Sequence, residues 1–159
     1  MEEEELIDYK NKKDKDFSQE IFLHLVKYRE KGNVVTQSSS SYEELCNIWD
    51  DDINLRERFI CLYLSRNNRV IGHYTVSVGA FNGTVVDPRL IFIPALLHGA
   101  SAVILAHNHP SGNLTPSKAD LDITKKIKDA GKMLEVTVLD HIILTPEGKF
   151  TSLADEGLM

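Results

Sequence analysis

Two histidines separated by a single residue, His107 and His109, stand where an unbroken apolar run, Ala100 to Ala106, gives out, and Ser117 and Asp120 follow shortly after. In extended backbone, side chains two apart point to the same side, so both imidazoles address one point. Two imidazoles and a carboxylate are a common zinc set. Three protein ligands leave the fourth tetrahedral position for water, whose pKa such an ion lowers to about 7. Helical periodicity supplies the carboxylate: the segment after Pro116 buries Ile123 and Ile127, and counting back in threes puts Asp120 and Ser117 on that same inward face. They lie near the positive N-terminal end of the helix, and a buried acid there calls for a cation. Glu57 is the candidate general base, because it opens a strand-like run flanked by apolar residues, from which a carboxylate reaches water at the metal. Ser117 is then placed to donate a hydrogen bond to the oxyanion of a tetrahedral intermediate.

These residues need a rigid frame. Ala100 to Ala106 has the length and composition of a central strand covered on both faces. Thr115-Pro116 reads as an N-cap followed by proline at the first helical position, opening a helix to Ala130 that Gly131 ends. Upstream, Glu57 to Leu64 and Val70 to Val78 are rich in β-formers, and Arg66-Asn67-Asn68-Arg69 supplies turn chemistry between them, which predicts a hairpin. Gly79 to Gly83 breaks the second run. Thr84-Val85-Val86 reads as a further short strand, and Pro88 opens a helix to His98 with Gly99 just beyond. Leu134 to Leu144 divides into two short β-like pieces around Asp140-His141, Pro146-Glu147-Gly148 is a turn, and a short strand closes the chain. Nearer the start, Ile21, Leu25 and Tyr28 mark an amphipathic helix within Phe17 to Lys31, and Ser40 with Glu43, or Ser41 with Glu44, would cap a short helix through Trp49. Alternating strands and helices predict an α/β fold with a mixed β-sheet sandwiched by helices.

The bulk properties bound what this frame can serve. The 159 residues are about one domain long, and 42% apolar residues suffice for one core. Residues 1–15 read as an acidic tail, 16–37 as a helix and linker, and 38–159 as the domain itself. Five of the 24 acids fall within the first eight residues, so the remaining 19 nearly balance the 18 bases. A role on nucleic acid is open but has no support from a basic charge footprint, and Lys125, Lys126 and Lys128 read as the wet side of a helix. No apolar run is long enough to span a membrane and no secretory signal is present, which predicts a cytoplasmic protein. Cys46 and Cys61 have no metal-binding spacing and read as buried free thiols.

The pattern H-x-H, seven residues, then S-x-x-D, with a glutamate upstream, resembles the JAMM motif of the JAB1/MPN metalloprotease superfamily. His107-Asn108-His109-Pro110-Ser111-Gly112, Pro116-Ser117, Asp120 and Thr124, with Gly83-Thr84 and Asp140-His141-Ile142-Ile143, narrow the resemblance to the RadC family of bacterial JAB-domain proteins, long labelled DNA repair proteins. The likeness covers roughly residues 38 to 155. It implies a cytidine deaminase-like fold, zinc held by His107, His109 and Asp120, Glu57 as acid/base and Ser117 as the oxyanion donor. It also implies a peptide or protein substrate, isopeptide-linked in the superfamily's best-understood members. Longer members carry an N-terminal helix-hairpin-helix region, which the first 37 residues do not resemble.

Other readings compete with these. Ser117-x-x-Asp120 also fits a capping box, but Thr115-Pro116 already offers a cap, which favours the catalytic role. His141 reads as a hydrogen-bonded structural residue, the alternative being a partner behind a metal ligand. Asn108 does not make an HNH nuclease, whose name describes separated residues. A DNA-associated accessory factor with a secondary metal site is the alternative function. A deaminase would need H-x-E with a cysteine pair that this chain lacks.

Overall fold

The computed structural model describes residues 32–49, 52–79 and 85–159. The expected acidic tail, the helix expected from Phe17 and the break at 80–83 lie outside the described residues. The elements in order are α1 (Ser38–Ile48), β1 (Arg58–Leu64), β2 (Val70–Val78), α2 (Pro88–Leu97), β3 (Ala102–Asn108), α3 (Lys118–Met133), β4 (Thr137–Leu144) and β5 (Phe150–Ser152). The five strands form one mixed sheet in the order β2-β1-β3-β4-β5: β1 pairs antiparallel with β2 and β3, β3 runs parallel to β4, and β4 antiparallel to β5.

Strand alternation divides the interior in two. Phe59, Cys61 and Tyr63 of β1 and Val103 and Leu105 of β3 pack under α2 and α3, together with Ile91, Phe92, Ala95 and Ile127. Ile60, Leu62 and Leu64, with Ala102, Ile104 and Ala106, pack on the opposite face against Leu45 of α1. Every residue of β3 is buried, as expected of a central strand. Burying a side chain such as Leu62 or Leu105 contributes about 1.5–3 kcal/mol. The sheet is therefore sandwiched, and the end of β3 emerges between two packed layers.

Several local readings need correction. The helix α3 starts at Lys118 with Ser117 as its N-cap, not at Thr115-Pro116, because Ser117 and Asp120 satisfy one another's end groups. It runs past Gly131 to Met133, since Gly131 is held in the helix by close packing: a Cβ there would sit 2.4 Å from the carbonyl oxygen of Val136. The helix α1 begins at Ser38, with Ser40 one turn inside, where its hydroxyl accepts from the Gln37 N–H. Val85 and Val86 are in no strand, and Thr84 is not described. Cys61 is buried but Cys46 is exposed.

The two pieces expected around Asp140-His141 are one strand carrying a bulge. Val103 pairs with Val138 but Ile104 with Asp140, so Leu139 is an extra residue without a partner in β3. A bulge changes which way the following side chains point. Val138 packs in the layer under α3, and three further residues of regular alternation would have turned His141 away from it; the bulge brings His141 back to the α3 side.

Candidate metal centre

The last residues of β3 supply the core of the site. His107 is almost fully buried and His109 is half-buried, and alternation sends both toward α3. His109 continues the parallel ladder, its N–H donating to the carbonyl of Leu144. The chain then turns at once: the Gly112 N–H donates to the His109 carbonyl, with Gly112 at φ 78, a conformation that glycine adopts without strain. This turn brings the Asn113 carbonyl 2.6 Å from His109 Nδ1. A carbonyl only accepts, so Nδ1 carries the hydrogen and Nε2 of the neutral ring carries an electron pair.

From the facing helix, Asp120 completes the group. Its Oδ1 lies 3.2 Å from His107 Nε2 and its Oδ2 3.7 Å from His109 Nε2, while the two Nε2 atoms are 2.9 Å apart. All three ligand atoms fall within 4.8 Å of one another. Three electron-rich atoms converging on one point require something positive between them, a proton or a metal ion. Two imidazoles and one carboxylate fit a zinc ion, with room for a fourth ligand.

Asp120 is held for this role by the cap it forms. The Ser117 hydroxyl and backbone N–H donate to Asp120 Oδ2 at 2.6 and 2.7 Å, and the Asp120 N–H donates back to Ser117 Oγ at 3.1 Å. The capping box set aside on sequence grounds is thus formed, and it orients the carboxylate. Ser117 is exposed at the rim instead of facing inward. Asp120, Ile123 and Ile127 face inward as expected, Ile123 partly buried against the core, with Thr124 and Gly131 buried beside them.

Behind His107 stands His141, fully buried, with Nε2 2.8 Å from His107 Nδ1 and Nδ1 2.6 Å from the Thr124 hydroxyl. Phe59 walls this pair off, stacking parallel to His107 and edge-on to His141. His141 is hydrogen-bonded at both ring nitrogens, as the first reading of the sequence had it, and one of its partners is the candidate ligand His107. Thr124, four residues after Asp120 on α3, was visible in sequence only as part of a motif.

Asn108 points the other way, as the residue between two same-facing histidines on a strand must. Its Oδ1 accepts from the Arg58 N–H at 2.8 Å, and its Nδ2 donates to the carbonyls of Ile53 and Arg56 at 2.6 and 2.8 Å. Those bonds bracket Glu57. Glu57 precedes β1 instead of opening it, and lies two residues before Phe59, which pairs with His107. Glu57 lies close enough to His109 for its charge to raise the proton affinity of that imidazole. The signal for Asn108 was available in sequence, since a buried amide between two such histidines must satisfy three bonds on the far face.

A family model described as the RadC-like JAB domain matches residues 35–158. The chain belongs to that family. Relatives include a UPF0758 protein of Flavobacterium johnsoniae, 52% identical over 64% of this chain and 44% of the relative. Another, from Methanosarcina acetivorans, is 43% identical over 65% of this chain and 45% of its own length. A third, from Desulforamulus reducens, is 42% identical over 74% of this chain and 52% of its own. The chain thus spans about half the length of the curated relatives it matches. No helix among the described residues of this RadC-like JAB domain is long and apolar enough to cross a membrane.

The electrostatics of the domain's site give its loading a pH signature. The hydrogen bond to Asp120 raises the proton affinity of His109 against desolvation, helped by the Asn113 carbonyl and the charges of Asp120 and Glu57. Burial alone would raise the Asp120 carboxyl, but its hydrogen bonds with His107 and His109, the charge of His107 and the Ser117 hydroxyl hold it far below the usual carboxylate range. In the metal-free protein the His109 contribution to stability is full below the ordinary histidine value of 6.5 and is lost as pH rises through its raised value. The Asp120 contribution is present above the ordinary 3.8 and is lost only as pH falls through its depressed value. A metal competes with the His109 proton. Zinc affinity is therefore expected to rise with pH until His109 is deprotonated and then level off, with proton release seen by calorimetry in buffers of different ionisation enthalpy. A flat profile across the histidine range would contradict the shared-proton account.

Proposed function

We propose that this RadC-like JAB domain is a zinc-dependent hydrolase of the JAMM type, cutting a peptide or isopeptide bond in a protein substrate in the cytoplasm. The observation that carries the reading is the convergence of His107 Nε2, His109 Nε2 and an Asp120 carboxylate oxygen within 4.8 Å. A zinc ion in that position supplies Lewis acidity, enough to acidify water near neutral pH and to polarise a carbonyl.

The chain's own residues do the rest. His107, His109 and Asp120 hold the ion. Glu57, on the segment bracketed by Asn108, takes the proton of the attacking water at its carboxylate and returns it to the leaving amine. Ser117 stands at the exposed rim, where its hydroxyl, which donates to Asp120 at 2.6 Å, turns to the oxyanion once a substrate carbonyl is present. Phe59 keeps water from the buried side of the imidazoles.

Metal removal tests this reading. Protein stripped with a chelator is expected to lose cleavage of quenched-fluorescent peptide and isopeptide libraries, and one equivalent of zinc should restore it. Failure of the purified protein to take up zinc would overturn the proposal. Zinc uptake without cleavage, coupled with salt-sensitive binding to branched or single-stranded DNA, would favour the accessory role instead.

A further inference from the structure

The hydrogens behind His107 can be assigned one by one. Thr124 has a single hydroxyl hydrogen and two close neighbours: the backbone carbonyl oxygen of Asp120 at 2.5 Å and His141 Nδ1 at 2.6 Å. The carbonyl only accepts, so the hydroxyl hydrogen goes there and His141 Nδ1 must donate to the hydroxyl oxygen. His141 is completely buried, which disfavours its charged form, so Nε2 carries an electron pair. That pair lies 2.8 Å from His107 Nδ1, which must therefore be the donor. His107 is left with its free electron pair on Nε2, the atom that faces Asp120 and His109.

We propose that Thr124 and His141 are positioning residues that hold His107 in its Nδ1–H tautomer, so that Nε2 meets the metal as an unprotonated ligand. The inference rests on the reading of His107 as a ligand. Asn113 does the same for His109 through a backbone carbonyl, and outer partners of this kind orient and strengthen metal ligands generally. What is particular here is that the chain of bonds starts on Asp120 itself. The residue whose carboxylate faces the metal also fixes, through its backbone, the tautomer of the histidine opposite. The reverse assignment, with the Thr124 hydrogen on His141, would leave the 2.5 Å contact to the Asp120 carbonyl as two acceptors facing each other.

The test reads the tautomer directly, in metal-free protein labelled with nitrogen-15, at alkaline pH. Two-bond proton–nitrogen correlations should show His107 as the Nδ1–H form. Thr124→Val removes the hydroxyl with little change in volume, and His107 should then populate the Nε2–H form while zinc affinity falls about 10–100-fold. Thr124→Ser keeps the hydroxyl and should restore both. An Nε2–H form in the unsubstituted protein, or an unchanged tautomer and affinity in a folded Thr124→Val, would overturn the inference. Should Thr124→Val fail to fold, the spectrum of the unsubstituted protein still decides. An unsubstituted protein that shows the expected tautomer but binds no zinc would overturn the metal reading and leave the hydrogen assignment standing.

Discussion

Replacing His109 by alanine is expected to abolish stoichiometric zinc binding in a protein that still folds. His109 is only half-buried, and its ring makes one bond, to the Asn113 carbonyl, outside the ligand group. Its loss leaves a two-ligand site, which should weaken affinity by more than the roughly 10–100-fold that loss of an outer partner costs. His107→Ala should lose zinc equally, with a further stability cost. That side chain is 1% exposed, and without it the Nε2 of His141 is a buried acceptor with no donor, worth about 1–3 kcal/mol. Competition with a chromophoric chelator measures the first effect, and urea denaturation of the metal-free proteins separates the second. One zinc per chain retained by His109→Ala would remove His109 from the ligand set.

The second large effect is expected at Glu57. Glu57→Gln preserves shape but cannot take a proton, so cleavage should fall by about 10²–10⁴-fold, the usual contribution of a general base. Zinc should still bind. Asn108 grips the backbone of Arg56 and Arg58, not the Glu57 side chain, so the segment stays in place. The substitution also removes one of the charges that raise the proton affinity of His109, whose pKa should drop, and the pH at which zinc affinity levels off should drop with it. Undiminished turnover in Glu57→Gln would mean that another group moves the proton.

Much of this was legible in the sequence because it depends on strand parity. An apolar run ending in H-x-H fixes a central strand, and alternation alone puts His107 and His109 on one face. The α/β sandwich follows from β3 being apolar on both sides. Less legible were features set by hydrogen-bond competition at element ends. Thr115-Pro116 and Ser117 are both acceptable starts for α3, and the mutual bonds of Ser117 and Asp120 decide between them. That choice leaves Ser117 at the exposed cap, while Ile123 keeps its place against the core and Thr124 is buried beside it. His141 was hidden for another reason: no local signal distinguishes a bulge at Leu139 from a break between two strands, and without the bulge His141 has no reason to face His107.

That bulge makes β4 a strand of two phases. Its first half keeps time with the helix layer, seating Val138 beneath α3. Its second half runs in the opposite phase, so that Asp140 turns away to gather Ser152 Oγ and the N–H of Ala154 while its neighbour His141 turns toward the histidine pair. A chain one residue shorter at Leu139 would have to give up one phase or the other: the apolar seat under the helix, or the imidazole behind His107. The surplus residue is what lets a single strand serve the packing of the fold at one end and the chemistry of the site at the other.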